Sequence, residues 1–208
     1  MAALRSQLMR CISCLGILAV LLWSSLAWAG AARELTQAQY DQLKTYITVT
    51  AKPEFDADIA AGNDQHIADA MNVPFTPTFQ VLKTSVSRKT LIEDVSPQGT
   101  TFKATTNGYF TRTVQELDLF NRMFDRNDTM DPSMPNNTAL LTAIFSGTGD
   151  AQANRVHIGN QSRRPVTRAE KLYVTQGAGT GGDPGYLVWE GMLTQHDIRY
   201  ALRGGPQP

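Results

Sequence analysis

Apolar residues along this chain recur three and four positions apart, and most such runs follow a residue suited to starting a helix. Leu35, Tyr40, Leu43 and Ile47 line one face behind a T-x-x-Q capping box at Thr36 and Gln39, with Leu35 and Tyr40 placed as a hydrophobic staple. This predicts a helix to about Thr48, closed before Pro53. Ile59, Ile67, Ala70 and Met71 lie among Asp56, Asp58, Asp64 and Asp69, which reads as two short helices broken at Gly62-Asn63. Val114, Leu117, Phe120 and Phe124 follow a second box, Thr113 with Glu116, and predict a helix to near Arg126. Leu140, Leu141, Ile144 and Phe145 predict another, capped by Asn137 and ended by Gly147. Asp150 is the expected cap of a helix over 151–161.

The remaining signals are of a different kind. Residues 73–86 place Pro74 and Pro77 among Phe75, Phe79, Val81 and Leu82, an extended segment that the prolines limit to an edge strand. Residues 87–94 suit a single helical turn, and Ser96-Pro97-Gln98-Gly99 a tight turn. Residues 128–137 read as a polar connector. Thr167 and Glu170 form a third box, predicting a helix with Leu172, Tyr173 and Val174 on its apolar side and Gly177 at its C-terminal end. Residues 177–185 carry too much glycine for regular structure and read as a flexible loop open to a partner. Tyr186 to Trp189 suits a strand. Thr194 then caps a helix bearing Ile198, Ala201 and Leu202. The sum is a mainly α fold: a single-domain, compact helical bundle of about seven short helices with one short extended segment near the C-terminus.

Residues 1–30 match an export signal. Arg5 and Arg10 precede an apolar run over 12–23, and Ala27-Trp28-Ala29 offers a small-x-small cleavage site. The run is short beside the about 20 residues of a membrane span, and an uncleaved anchor is the alternative to a cleaved signal. The organisation expected is a leader over 1–30, one helical domain over 31–203 and a disordered tail over 204–208. Both cysteines, Cys11 and Cys14, fall in the leader, so neither disulfide nor thiol chemistry supports the remainder. The formal net charge is zero, but residues 34–131 carry 9 basic and 14 acidic groups against 7 and 5 over 132–208. That balance excludes a nucleic-acid binder driven by bulk charge.

No catalytic constellation emerges. His66, His157 and His196 are isolated, G-x-S-x-G is absent around Ser146-Gly147, Glu93-Asp94 is an ordinary acidic pair, and the aspartates at 56–69 lack calcium-loop spacing. The glycine loop sits after a helix signal and before a strand, the reverse of a phosphate-binding order, with no lysine following. No metal or cofactor is implied. The candidate site is Arg163, Arg164, Arg168 and Lys171, which can gather around Pro165 as donors for a carboxylate or phosphate, or serve the carbonyls at a helix end.

Several separated motifs carry a resemblance. Leu35-Thr-Gln-Ala-Gln-Tyr40 with Leu43-Lys44, Lys83-Thr-Ser-Val86, Ile144-Phe-Ser-Gly-Thr-Gly149, Arg163-Arg164 with Thr167-Arg-Ala-Glu-Lys-Leu172, and Glu190-Gly191 with Leu193-Thr194 and Asp197 resemble a family of small proteins encoded by tailed bacteriophages and prophages of proteobacteria. The likeness covers residues 35–202. It implies a virion or assembly component with no catalytic residues, whose partners are other phage structural proteins or further copies of itself, made in the host cytoplasm. The front of the chain departs from that family, whose members begin close to the LTQAQY helix without a leader. Either translation starts near residue 35, or a phage-type domain has been joined to an export signal. In the second case the alternative function is an exported periplasmic protein that binds an acidic ligand or peptide through the arginines. Under the phage reading, the surfaces expected to make contacts are residues 73–82, the loop 177–185 and the cluster from Arg163 to Lys171.

Overall fold

The computed structural model describes residues 34–110 and 112–204. The leader, its cysteines and the tail after Gly204 lie outside the described residues. Where the chain is described it is mainly α, with nine α-helical segments and six short strands among those residues.

Helix α1 (Gln37–Thr45) begins as its capping box requires: the Thr36 amide donates to Gln39 Oε1 at 2.8 Å and the Gln39 amide to Thr36 Oγ1 at 3.4 Å. It runs on into a π-helical turn, Tyr46–Thr50, that keeps Ile47 in line with the buried Tyr40 and Leu43. Pro53 then sits in the first turn of α2 (Lys52–Ala61), where its missing N–H costs nothing. Gly62, at φ 71°, ends α2 in the left-handed conformation expected of the break, and α3 (Asp64–Met71) follows.

The proline segment leads to β1 (Gln80–Leu82), which pairs antiparallel with β4 (Arg163–Pro165) and is joined on its other side by a parallel bridge from Val81 to Gly185. β1 is therefore flanked on both sides and is not the edge strand expected. The prolines at 74 and 77 precede it, so its amides stay free to bond. β2 (Val86–Ser87) pairs with β3 (Thr129–Met130), and α4 (Arg88–Ile92) starts under a Ser87 cap. A second π-helical turn, Thr106–Phe110, precedes α5 (Val114–Arg122). α5 stops short of Arg126 because residues 125–130 turn back into β3, with Asp125 accepting the amides of Asn127 and Thr129.

Two start signals are displaced. α6 (Pro135–Ile144) begins at Pro135 instead of beyond Asn137, whose amide group donates to Asp131 O at 2.9 Å. α7 (Asp150–Gln161) has Gly149 as its N-terminal cap, while the Asp150 carboxylate accepts from Thr105 Oγ1 at 2.6 Å. The larger departure lies in the C-terminal part. α8 (Arg168–Lys171) is one turn long, and Val174, expected on its apolar face, begins β5 (Val174–Gln176), antiparallel to β6 (Tyr186–Leu187). Gly177, at φ 81°, opens this hairpin's loop and does not end a helix. α9 (Gln195–Arg203) closes the fold under the Thr194–Asp197 box.

Two apolar cores result. One gathers Tyr40, Phe55, Ile67 and Ile198 from α1–α3 and α9, with Leu35, Tyr173 and Trp189 from the chain just outside α1 and the β5–β6 hairpin. The other gathers Leu91, Phe120, Phe145 and Ile158 from α4–α7. Among the described residues, no helix is long and apolar enough to cross a membrane.

Candidate functional site

β4 and α8 carry the four cations singled out by the sequence, and the structure sends them to four different partners. Arg164 makes two parallel bonds to Glu170, Nη1 to Oε2 at 2.7 Å and Nη2 to Oε1 at 2.6 Å, and a third from Nη2 to Glu190 Oε1 at 2.8 Å. Glu170 is buried. It also accepts from the Thr167 amide at 3.1 Å and the Gly191 amide at 3.3 Å, so one carboxylate caps α8, holds the following loop and neutralises Arg164. The hydrogen bonds to Glu170, more than those to Glu190, raise the Arg164 guanidinium above its already high range against the pull of desolvation. Thr84 Oγ1 donates to Glu190 Oε2 at 2.5 Å and ties the end of this network to the chain beyond β1.

Arg168 turns the other way. It clamps Glu54 of α2 with bonds of 2.6 and 2.7 Å and reaches the Tyr46 hydroxyl at 3.4 Å. That clamp holds the Glu54 carboxyl below its ordinary range. Lys171 Nζ stands 4.1 Å from the Phe79 ring centroid and 5.9 Å from that of Phe75, a cation over aromatic faces. Arg163 donates to Asn160 Oδ1 and lies under the glycine loop, where a Cβ on Gly181 would come 2.8 Å from its Nη1. Burial lowers the Arg163 guanidinium, and burial beside Arg164 lowers the Lys83 amine.

The four side chains thus do not form one cationic surface. The forked donors that suit a bound carboxylate are taken by the protein's own Glu170 and Glu54. Among the described residues, Arg163 and Lys171 are the members of the cluster without a carboxylate at ion-pair distance. The partners Glu170, Glu190 and Glu54 were not singled out by sequence. Glu170 was visible there only as a capping residue.

The glycine loop is also tied down. Gln80 N donates to Gly179 O at 2.7 Å, Gly185 N to Gln80 O at 2.8 Å, and Ala178 N to Asp183 Oδ2 at 2.8 Å. Gly179 and Gly185 press on the Phe79 ring, so close that a Cβ on Gly179 would overlap it at 2.1 Å. The loop is glycine-rich because an aromatic ring occupies the space side chains would need, which replaces the flexible connection expected.

The histidines remain apart. His66 Nδ1 contacts Asp58 Oδ2 at 2.8 Å, His157 is buried between Thr100 Oγ1 at 3.2 Å and Leu91 O at 3.0 Å, and His196 is exposed. Compared with protein-family models, curated proteins and solved structures, the chain has no match.

Proposed function

We propose that the chain is a structural or assembly protein of a tailed phage or prophage, acting through protein–protein contacts without catalysis. The family resemblance of the sequence motifs supplies the phage context. The observation that carries the contact role is the placement of large exposed apolar side chains at two positions over different cores. Phe110 and Val114, 68% and 84% exposed, stand four residues apart beside the α4–α7 core. Val73 and Met192, 44% and 71% exposed, adjoin in sequence Asn72 and Leu193 beside the other core, where the Asn72 side chain bonds the Leu193 backbone in both directions at 2.8 and 2.9 Å.

One sticky surface makes a dimer; two different ones let a chain touch two neighbours, as an assembly needs. The fold that presents them is taken to be one helical bundle over 31–203. Native mass measurement of the full chain over a wide concentration range tests the reading. A defined oligomer, or co-purification with particles, is expected, and a monomer throughout overturns it. Intact mass of the native protein fixes the compartment: a start near Leu35 supports the host cytoplasm and virion, one near Gly30 the periplasm.

The alternative, an exported periplasmic protein binding an acidic ligand or peptide through Arg163, Arg164 and Arg168, asks two of those arginines to release carboxylates already held at 2.6 Å. Assembly makes no such demand.

A further inference from the structure

The two apolar cores divide the chain at two points. Every buried member of the second core falls within residues 86–158, and every buried member of the first lies outside that span, over residues 35–71 and 169–201. The partly buried apolar residues packed on each core divide at the same places. Leu82 and Arg163, which flank the inner stretch, are register partners in the β1–β4 pair. Residues 83–162 therefore leave the first lobe and return to it at one point, as an inserted unit does, and are long enough to bury a core of their own. The fold remains one domain, since the outer lobe is built from both of its ends.

What joins the lobes gathers at that point. The well-packed pairs of elements are drawn from one lobe or the other, except α7 with β4, which follow each other in the chain. Lys83 N donates to Ser162 O at 2.9 Å, Arg163 to Asn160 Oδ1, and Thr84 Oγ1 to Glu190 Oε2 at 2.5 Å. Packing at the junction is incomplete: Leu82 borders a cavity of about 100 Å³ with Leu141 and Ile158, and the buried Ser162 Oγ has no hydrogen-bond partner among the described residues. Burial beside Arg164 lowers the Lys83 amine, so a charge is held at the junction at some cost. A junction with few bonds and poor packing opens before the cores on either side of it do.

We infer that residues 86–161 form a lobe that swings as a body on a two-stranded hinge made by residues 83–85 and Ser162. Hinges of this kind are a few residues at the ends of elements, which absorb the change of direction while the packed cores stay whole. The Thr84–Glu190 bond is the strap that limits the swing. The use of the hinge rests on the assembly reading: it re-aims Phe110 and Val114, on the inserted lobe, relative to Val73 and Met192 on the other, so that one chain can join its neighbours at more than one angle.

Spin-label distances in the full chain test it, with Cys11→Ser and Cys14→Ser removing the native thiols and each labelled sample diluted into excess unlabelled chain. Lys44→Cys with His196→Cys reads the first lobe, Gln115→Cys with Gln152→Cys the inserted one, and Lys44→Cys with Gln152→Cys the distance across, all at exposed positions. The distribution across the lobes is expected to be about twice as wide as either distribution within a lobe. Thr84→Ala, which cuts the tie to Glu190, should widen it further and leave the other two unchanged. A distribution across the lobes as narrow as those within them, or one that Thr84→Ala does not widen, or equal widening of all three, overturns the hinge. These distances are read within single chains, so a chain that proves monomeric counts against the assembly reading without bearing on this one.

Discussion

Arg164 and Glu170 face each other edge to edge, with two parallel hydrogen bonds of 2.7 and 2.6 Å closing a ring between β4 and α8. The Glu170 side chain is 4% exposed and that of Arg164 25%. Breaking a pair this deep leaves a charge without its partner, which is worse than never having had the pair. Glu170→Ala is therefore expected to cost about 3–5 kcal/mol in urea unfolding, since it strands Arg164 and removes the α8 cap together. Replacing Arg164 and Glu170 jointly by methionine should cost much less than the two single changes added. Additive losses would show that the two residues act separately.

The glycine loop supplies a second, sharper contrast. Gly179 has φ 73° and lies against Phe79, whereas a Cβ on Gly182 would meet nothing within 4 Å. Gly179→Ala should lower stability by about 3 kcal/mol, combining a left-handed backbone with overpacking on the ring. Gly182→Ala should stay within about 0.5 kcal/mol of the parent. Equal, small effects would mean that the loop moves away from Phe79 and is not the fixed arch seen here.

That loop marks where the sequence stopped being readable. The boxes at Thr36, Thr113 and Thr167 and the cap at Thr194 were legible because each is closed within three residues, and all four form. The helix length behind the third was not, since Val174 and Gln176 leave the helical path to pair with Leu187 and Tyr186 across the loop. The same distance effect hid the candidate site's chemistry. The arginines stood out as a local cluster, but Glu190 lies 26 residues from Arg164 and Glu54 lies 114 from Arg168. Only the fold shows that these donors are occupied.

Acid should loosen the Arg168 clamp. The Glu54 carboxyl is held below its ordinary value, chiefly by its hydrogen bonds to Arg168. A carboxyl depressed in the folded state stabilises fully above its unfolded value, about pH 4.3, and that stabilisation is lost as pH falls through the lower folded value. The Glu54 side chain is 47% exposed, so solvent screening keeps the contribution under about 1 kcal/mol. In unfolding curves at pH 7 and pH 3, Glu54→Gln should lie below the parent at the higher pH and approach it at the lower. A constant gap across that range would remove Glu54 from the acid response.

The exposed pair at Phe110 and Val114 bears most directly on function. A phenylalanine left 68% in water and a valine left 84% contribute little to the fold, so polar replacements there should leave monomer stability within about 0.5 kcal/mol. If a neighbouring chain covers them, the same replacements remove apolar burial worth about 1.5–3 kcal/mol per side chain from each contact, a tenfold or greater loss of association. Phe110→Ser with Val114→Ser is expected to shift the native mass distribution toward smaller species at unchanged melting temperature. Met192→Ser with Val73→Ser should do the same at the second surface, and all four changes together should leave a monomer. An oligomer indifferent to all four would place its interface elsewhere and remove the observation on which the assembly reading stands.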